Sequence, residues 1–472
     1  MGADWGQQGA HPFAEVSAPP PEKGRSWTLI AAVGGLVAIG VLVAGYVLLF
    51  AGAPAPSASP IAVSPTPSGS ATASPSATGG SPLPTDVTAQ IDAVVEQMPA
   101  TRELAALEEV PFVLLTRDEA RIELEALARE ELDLAVLEAE ERLLRRLGLL
   151  DEDDDTLLDM LIELQGAAVA AYYRTDTGTM YIIERDEPFS SLDKVFVAHE
   201  YTHALQDQHF DLEGNRITDL AEGDAAIAQL AAIEGDASLA MLFWAFANLN
   251  PAEQLELLAD MSPTDQQLLE EMPPILRRQL TFPYNEGVAF SSDIYALGGW
   301  EAINETITAP PLSTEQVLHP QKYRDGEAPI DVEPTDWREH LGPGWQIAYE
   351  QTMGELNTQI WLADGAEPPL PGLPGLPGLP AEPEPWQEAA AGWGGDRLRM
   401  YEQTDGRWAI VWETEWDSDA DEEEFVQLAE PLLEGLGHPA FVIGTRPGLT
   451  SAWVAVASDE QVLETFFDLT QP

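Results

Sequence analysis

The chain has 472 residues, room for about two or three domains at the usual ~100–200 residues each. Its formal net charge of −59, with Lys23, Lys194 and Lys322 as the only lysines, argues against a nucleic-acid partner, because phosphate binding needs clustered Lys and Arg. There is no cysteine, which excludes disulfides, thiolate metal sites and cysteine nucleophiles and leaves any transition metal to His, Asp or Glu.

Leu29 to Phe50 is uncharged and long enough to span a bilayer as a helix, which takes about 20 residues. Lys23 and Arg25 precede it and no basic residue follows until Arg102, so the positive-inside rule puts residues 1–28 in the cytoplasm and everything after Phe50 outside. The apolar run exceeds the ~7–15 residues of a signal peptide, and Pro54 follows the small-residue site, so an uncleaved anchor is expected. Residues 51–84, rich in Pro, Ser, Ala and Thr, read as an extended stalk.

From there the apolar spacing predicts helices over Thr85–Gln97, Asp118–Gly148 and Asp155–Gln165. Strands follow at Ala167–Tyr173 and Thr179–Ile183, joined by a turn at Thr175–Gly178. The acidic run Asp151–Asp155 lacks the glycine and terminal glutamate of a calcium loop and reads as a solvated turn. Further helices are expected at Asp193–Asp207, Asp224–Asn248 and Ser262–Gln279. A proline-rich linker at Pro368–Pro385, with Pro-Gly-Leu three times in succession, separates a smaller region. That region reads as a ββαββα layer: strands Arg397–Glu402 and Trp408–Trp416, helix Asp421–Gly435, strands Ala440–Gly444 and Ala452–Ala457, and helix Asp459–Asp468. Alternating tryptophans in its strands read as core rather than as a carbohydrate platform.

His199-Glu200-Tyr201-Thr202-His203 fits the H-E-x-x-H pattern. Residues four apart share a helical face, so both imidazoles can bind one zinc ion, while Glu200, one step round, serves as general base. A catalytic zinc takes a third protein ligand. His209 stands at the metzincin spacing, but Gln206 occupies the glycine position that lets such a helix turn back. Asp207, Glu222 and Glu234 are the other candidates. Glu-Gly-Asp-Ala occurs at both 222–225 and 234–237, so spacing alone does not choose; a glutamate buried in the apolar helix around 234 would need a partner, and a metal supplies one. For an oxyanion donor the candidates are His319, Tyr284 and Tyr323. A zincin architecture, rather than any periodicity, suggests that strand Thr179–Ile183 offers its edge to an extended peptide.

Val197–Leu212 resembles a family of bacterial gluzincin-like zinc metallopeptidases, known mostly from genome sequences. Further matching blocks are Ala232–Ala237, Phe282-Pro-Tyr284 with Gly287 and Phe290, Gly298-Gly-Trp300, Ser313–Pro320 with Lys322-Tyr323, and Gly392–Asp396. The resemblance covers roughly residues 86–430. It implies that Glu234 is the third zinc ligand and that His209 supports the ligands or ends the helix. On a regular helix Asp236 cannot share the face of Glu234, and its role stays open.

The expectation is therefore an α+β protein: a mainly helical, zincin-like metallopeptidase unit (85–367) with a small C-terminal α/β layer (386–472), preceded by one transmembrane helix and tethered outside the cell membrane. Its cofactor is Zn2+, held by His199, His203 and Glu234; Glu200, His319 and Tyr284 carry catalysis on a peptide or protein substrate. The rivals are a non-enzymatic surface binding protein with a structural or degenerate zinc site, and a zinc amidase acting on cell-wall peptides.

Overall fold

Short-range hydrogen bonds decide where the elements begin and end. The computed structural model describes residues 85–467 apart from 169–170, 185–188, 218–221, 260–270, 365–382, 439 and 446–449; the expected membrane span, the stalk and most of the proline linker lie outside these. Helix α1 (Thr85–Arg102) continues through Pro99, past the expected end at Gln97. It leads to strand β1 (Phe112–Leu115), which no periodicity announced. The single helix expected over 118–148 is two, α2 (Arg117–Glu131) and α3 (Leu134–Arg146). Asp133 makes the break: its carboxylate accepts the Ala135 N–H at 2.9 Å and caps the new helix. After α4 (Leu157–Ala168), strand β2 is confined to Ala171–Arg174, because residues 167–168 finish the helix. Strand β3 (Thr179–Ile183) follows a turn in which Gly178 takes the φ of 59° that side chains disfavour.

The first sheet has the order β1-β3-β2, with β3 parallel to β1 and antiparallel to β2. Tyr172 and Tyr181, directly opposite each other, stack with ring centroids 4.9 Å apart. Strand β3 is thus the central strand, and both of its edges are already paired. The expectation that it offers an edge to a peptide is overturned.

Helix α5 (Ser191–Phe210) starts at a capping box, in which the Ser190 hydroxyl accepts the Asp193 N–H while the Asp193 carboxylate takes the Ser190 N–H at 2.7 Å. Helix α6 (Gly223–Asn248) is long and apolar enough to cross a membrane by length and composition, but it lies mostly buried at the centre of the protein. Helix α7 (Pro251–Ala259) precedes α8 (Pro274–Thr308), which is kinked at Gly299, where φ is 64°. Of the helix expected at Ser262–Gln279, residues 262–270 lie outside the described residues and 274–279 are the first turns of α8. Helices α6 and α8 press backbone to backbone: a Cβ on Gly235 would collide with the Gly287 carbonyl, and one on Gly287 with the Ala231 carbonyl.

Short helices α9 (Thr314–Leu318), α10 (Pro320–Asp325) and α11 (Arg338–Leu341) lead to β4 (Trp345–Gln351) and α12 (Gly354–Leu362). Beyond the proline-rich segment come α13 (Pro385–Ala390), β5 (Trp393–Gln403), β6 (Trp408–Trp416), α14 (Asp419–Gly435), β7 (Ala440–Thr445), β8 (Ser451–Ala457) and α15 (Glu460–Phe467). The second sheet is antiparallel with the order β4-β5-β6-β8-β7. The expected ββαββα layer is present, and β4, from ahead of the proline-rich segment, adds a fifth strand. One face buries Leu398, Ile410, Trp412 and Val454 with Leu143 of α3, Trp361 of α12 and Phe425 of α14. The other buries Tyr401, Val411 and Ala455 with Trp337 and Phe466. Trp393, Trp412 and Trp416 are core residues, as alternation suggested. The whole is a mixed helical and stranded protein in which helix predominates.

Candidate metal centre

Helix α5 carries His199 and His203 one turn apart, and both point at α6, where Glu234 faces them. His199 Nε2 lies 3.0 Å and His203 Nε2 3.3 Å from Glu234 Oε2, and the two imidazole nitrogens are 3.1 Å apart. A tetrahedral ion with ~2.0–2.1 Å ligand distances spaces its ligand atoms by about 3.3 Å. The three atoms therefore already stand close to the separations such an ion requires. Hydrogen bonding alone serves this cluster poorly, since two nitrogens and a carboxylate oxygen converge on one point with few protons to share. The donor set fits a zinc-type cation. Among the described residues no fourth His, Asp or Glu joins the group.

The charges respond to burial and to each other. Burial works against ionisation at His199, whose pKa is lowered. At His203 burial also opposes the charge, but the Glu234 carboxylate overcomes it and raises the pKa to about 9. Burial likewise opposes the Glu234 anion and is outweighed by His203 and His199, which hold its pKa near 2. Glu200, one step round α5, is lifted to about 8 by burial, only partly offset by the Tyr173 N–H that its Oε2 accepts at 3.0 Å. A carboxylate with a raised pKa and a fixed orientation is suited to take and return a proton.

The outer side of His203 is fixed by Gln206. The Gln206 amide nitrogen donates to Asp236 Oδ2 at 2.7 Å and to the Ile233 carbonyl at 3.1 Å, so its oxygen must face His203 Nδ1, 2.8 Å away. Nδ1 is thereby kept as the N–H donor to Gln206, and a metal that takes the place of the other ring proton would find the Nε2 lone pair. Asp236, whose role the sequence left open, is thus joined to His203 through Gln206 from another face of α6. Gln206, which stands where the metzincin pattern has glycine, contributes this hydrogen bond.

Of the other candidates, His209 lies past the cluster with Nε2 2.7 Å from the Ala105 carbonyl. Asp207 accepts from the Tyr173 hydroxyl at 2.9 Å and from the Leu212 N–H. Glu222 pairs with Arg397 at 3.2 Å and is half-exposed. Tyr284 is brought to the centre: it is fully buried, its ring centroid is 6.1 Å from that of His199, and its hydroxyl bonds Glu234. Tyr323 donates to the Ala309 carbonyl instead. His319 ends α9 and is engaged by the buried Glu355, 3.1 Å away; no hydrogen bond or ring contact joins it to the three ligand side chains among the described residues.

A second acidic group, Glu315, Glu327 and Asp417, also converges, but the Lys322 ammonium fills it at 2.6, 2.9 and 2.7 Å, so its cation is already supplied. The remaining blocks prove to be supports. Asp396 takes the Met353 and Gly354 N–H groups, both at 2.9 Å, and so caps α12. Asp224 at the start of α6 binds Thr314 through its backbone and hydroxyl. Sequence reasoning missed Arg102 of α1, whose guanidinium grips Asp236, and the signal was there: an isolated arginine ending an apolar-periodic helix in a strongly acidic chain.

A family described only as a domain of unknown function (DUF8575) matches residues 345–464. That stretch begins at β4 and ends in α15, so it is the five-stranded sheet with its helices. No curated protein and no solved structure matches the chain.

Proposed function

We propose that this protein is a membrane-anchored, extracytoplasmic zinc metallopeptidase of zincin-like architecture, with His199, His203 and Glu234 as ligands and Glu200 as general base. The observation that carries it is the convergence of two imidazoles and a carboxylate at 3.0–3.3 Å, with the oriented carboxyl group of Glu200 next to the first histidine. Zinc held there would supply Lewis acidity to a water and to the scissile carbonyl. Glu200, steadied by the Tyr173 N–H, takes the proton of the attacking water and hands it to the leaving amine. Tyr284 fixes the carboxylate of Glu234. Strand β2, whose Tyr173 N–H reaches Glu200, replaces β3 as the strand along which an extended peptide would lie. The extracytoplasmic placement rests on the apolar segment 29–50 and the basic residues ahead of it.

One observation favours a second reading, a structural zinc site: His199, Glu200, His203 and Glu234 are all 5% exposed or less. A single experiment separates the two. Metal analysis is combined with digestion of a peptide library and of cell-wall peptides, with Glu200→Gln as control. The peptidase reading expects one zinc per chain in both proteins and a loss of turnover of at least ~100-fold in Glu200→Gln, the scale of a lost general base. Bound zinc with no Glu200-dependent cleavage favours the structural site; absence of zinc from the wild type removes both.

A further inference from the structure

Arg102 ends α1 with its side chain fully buried. A buried guanidinium is costly unless it is paired and hydrogen-bonded. Here Nε donates to Asp236 Oδ1 at 2.6 Å, Nη2 to Asp236 Oδ2 at 3.0 Å and to Asn304 Oδ1 at 2.7 Å, and the planar group stands 4.5 Å over the Trp300 ring. The carboxylate so gripped also accepts from the Gln206 amide, and that amide faces His203. A continuous line of hydrogen bonds therefore runs from α1 through α6 to the imidazole on α5. Its polarity is set at the arginine end. Arg102 offers only protons, so Asp236 is held as a pure acceptor; Gln206 must then turn its NH2 to Asp236 and its oxygen to His203. With the amide reversed, the NH2 would demand the lone pair of Nδ1 and send the ring proton to Nε2, the atom that faces Glu234.

We propose that Arg102 is a positioning residue of the metal centre, acting through Asp236 and Gln206 on His203, and that α1 is a permanent part of that centre rather than a segment shed to activate it. The inference rests on the metallopeptidase reading only in taking a metal to bind. Removing α1 would strip Asp236 of its cation in a site closed to water, and the ligand beyond it would lose its orientation. The arrangement also explains why Trp300 follows the kink at Gly299: the turn sets the indole under the guanidinium.

The test measures Zn2+ affinity of the full chain by chelator competition, with the Co2+ ligand-field spectrum as a second readout and circular dichroism as the check of folding. The variants are Arg102→Lys, Gln206→Met and the double substitution. Lysine keeps the buried charge but loses the two-pronged grip, and methionine removes the relay without stranding a charge. Each single variant is expected to bind zinc about 10–100-fold more weakly with a shifted Co2+ spectrum. The double variant should be no weaker than Gln206→Met alone, because Arg102 acts through that amide. Losses that add would overturn the relay, and so would wild-type affinity in a folded Gln206→Met, even if Arg102→Lys does not fold. His203→Ala separates the two levels of failure: if it abolishes zinc binding while the relay variants keep it, only this inference falls, whereas zinc binding indifferent to His203→Ala takes the proposed function with it.

Discussion

At the residue scale, the centre is made by side chains that neighbouring groups hold in place. His203 is fixed on both nitrogens, Glu200 by a backbone N–H, and Glu234 by two imidazoles and a phenol. Such fixing depends on α6 and α8 lying close enough for Tyr284 to reach Glu234, and that closeness rests on glycine. In Gly287→Ala the added methyl meets the Ala231 carbonyl, which belongs to a helix backbone and cannot step aside. The expected loss is about 1–3 kcal/mol, the usual cost of overpacking a tight contact. Chemical denaturation measures it, and an unchanged midpoint with an unchanged slope would show that the two helices are free to separate.

At the element scale, helices are held where their ends meet buried acids. Asp396 caps α12, Asp224 anchors α9 to the start of α6, and Glu355 in the first turn of α12 holds His319 at the end of α9. This last pair gives the fold a dependence on pH. The hydrogen bond to Glu355 raises the pKa of His319, and burial only partly opposes it. Because the folded value lies above the unfolded value of about 6.5, the stabilisation is complete below that pH and is lost as pH rises through the folded value. Above it, Glu355 would remain in its buried site without its cation. The melting temperature of the wild type should therefore fall from neutral to mildly alkaline pH, and His319→Asn should flatten that slope; identical slopes in the two proteins would rule the pair out as its source.

At the scale of the whole molecule, the helical region and the five-stranded sheet share elements. Helix α3 sends Leu137 and Leu144 into the core around the metal centre and Ala139 and Leu143 into the core against the sheet. Helix α12 divides in the same way, Leu356 and Ile360 on one side and Trp361 on the other. Polar contacts follow: Arg142 and Arg146 both pair with Glu402 of β5, and the Trp361 indole donates to the Leu147 carbonyl. The two parts should unfold as one. Trp361→Ala, which empties a site packed by Trp412 and Phe425, is expected to cost about 3–5 kcal/mol and to keep a single transition by both tryptophan fluorescence and helical dichroism. Two separated transitions would show that the sheet folds on its own.

Much of this was written locally. A four-residue histidine spacing on an apolar helix, a capping box at Ser190 and strands alternating between two buried faces are short-range patterns, so α6, β6, β7 and β8 could be read within a residue, while α5 runs three residues past its expected end and β5 begins four before its expected start. The break at Asp133 and the length of α8 were missed because one polar side chain and a few glycines and prolines act there against the periodicity. Spacing did not choose between Glu234 and Glu222, which share a tetrapeptide, and the family resemblance pointed to Glu234; packing shows the physical difference, since one faces the imidazoles and the other an arginine on the surface. Arg102 and Gln206 lie 104 residues apart in the chain and meet through Asp236, and no periodicity records such a contact. Sequence by itself determined which residues could bind a metal and on which helix; the tertiary structure decided which of them meet, because convergence of side chains from separate helices is set by how the helices pack.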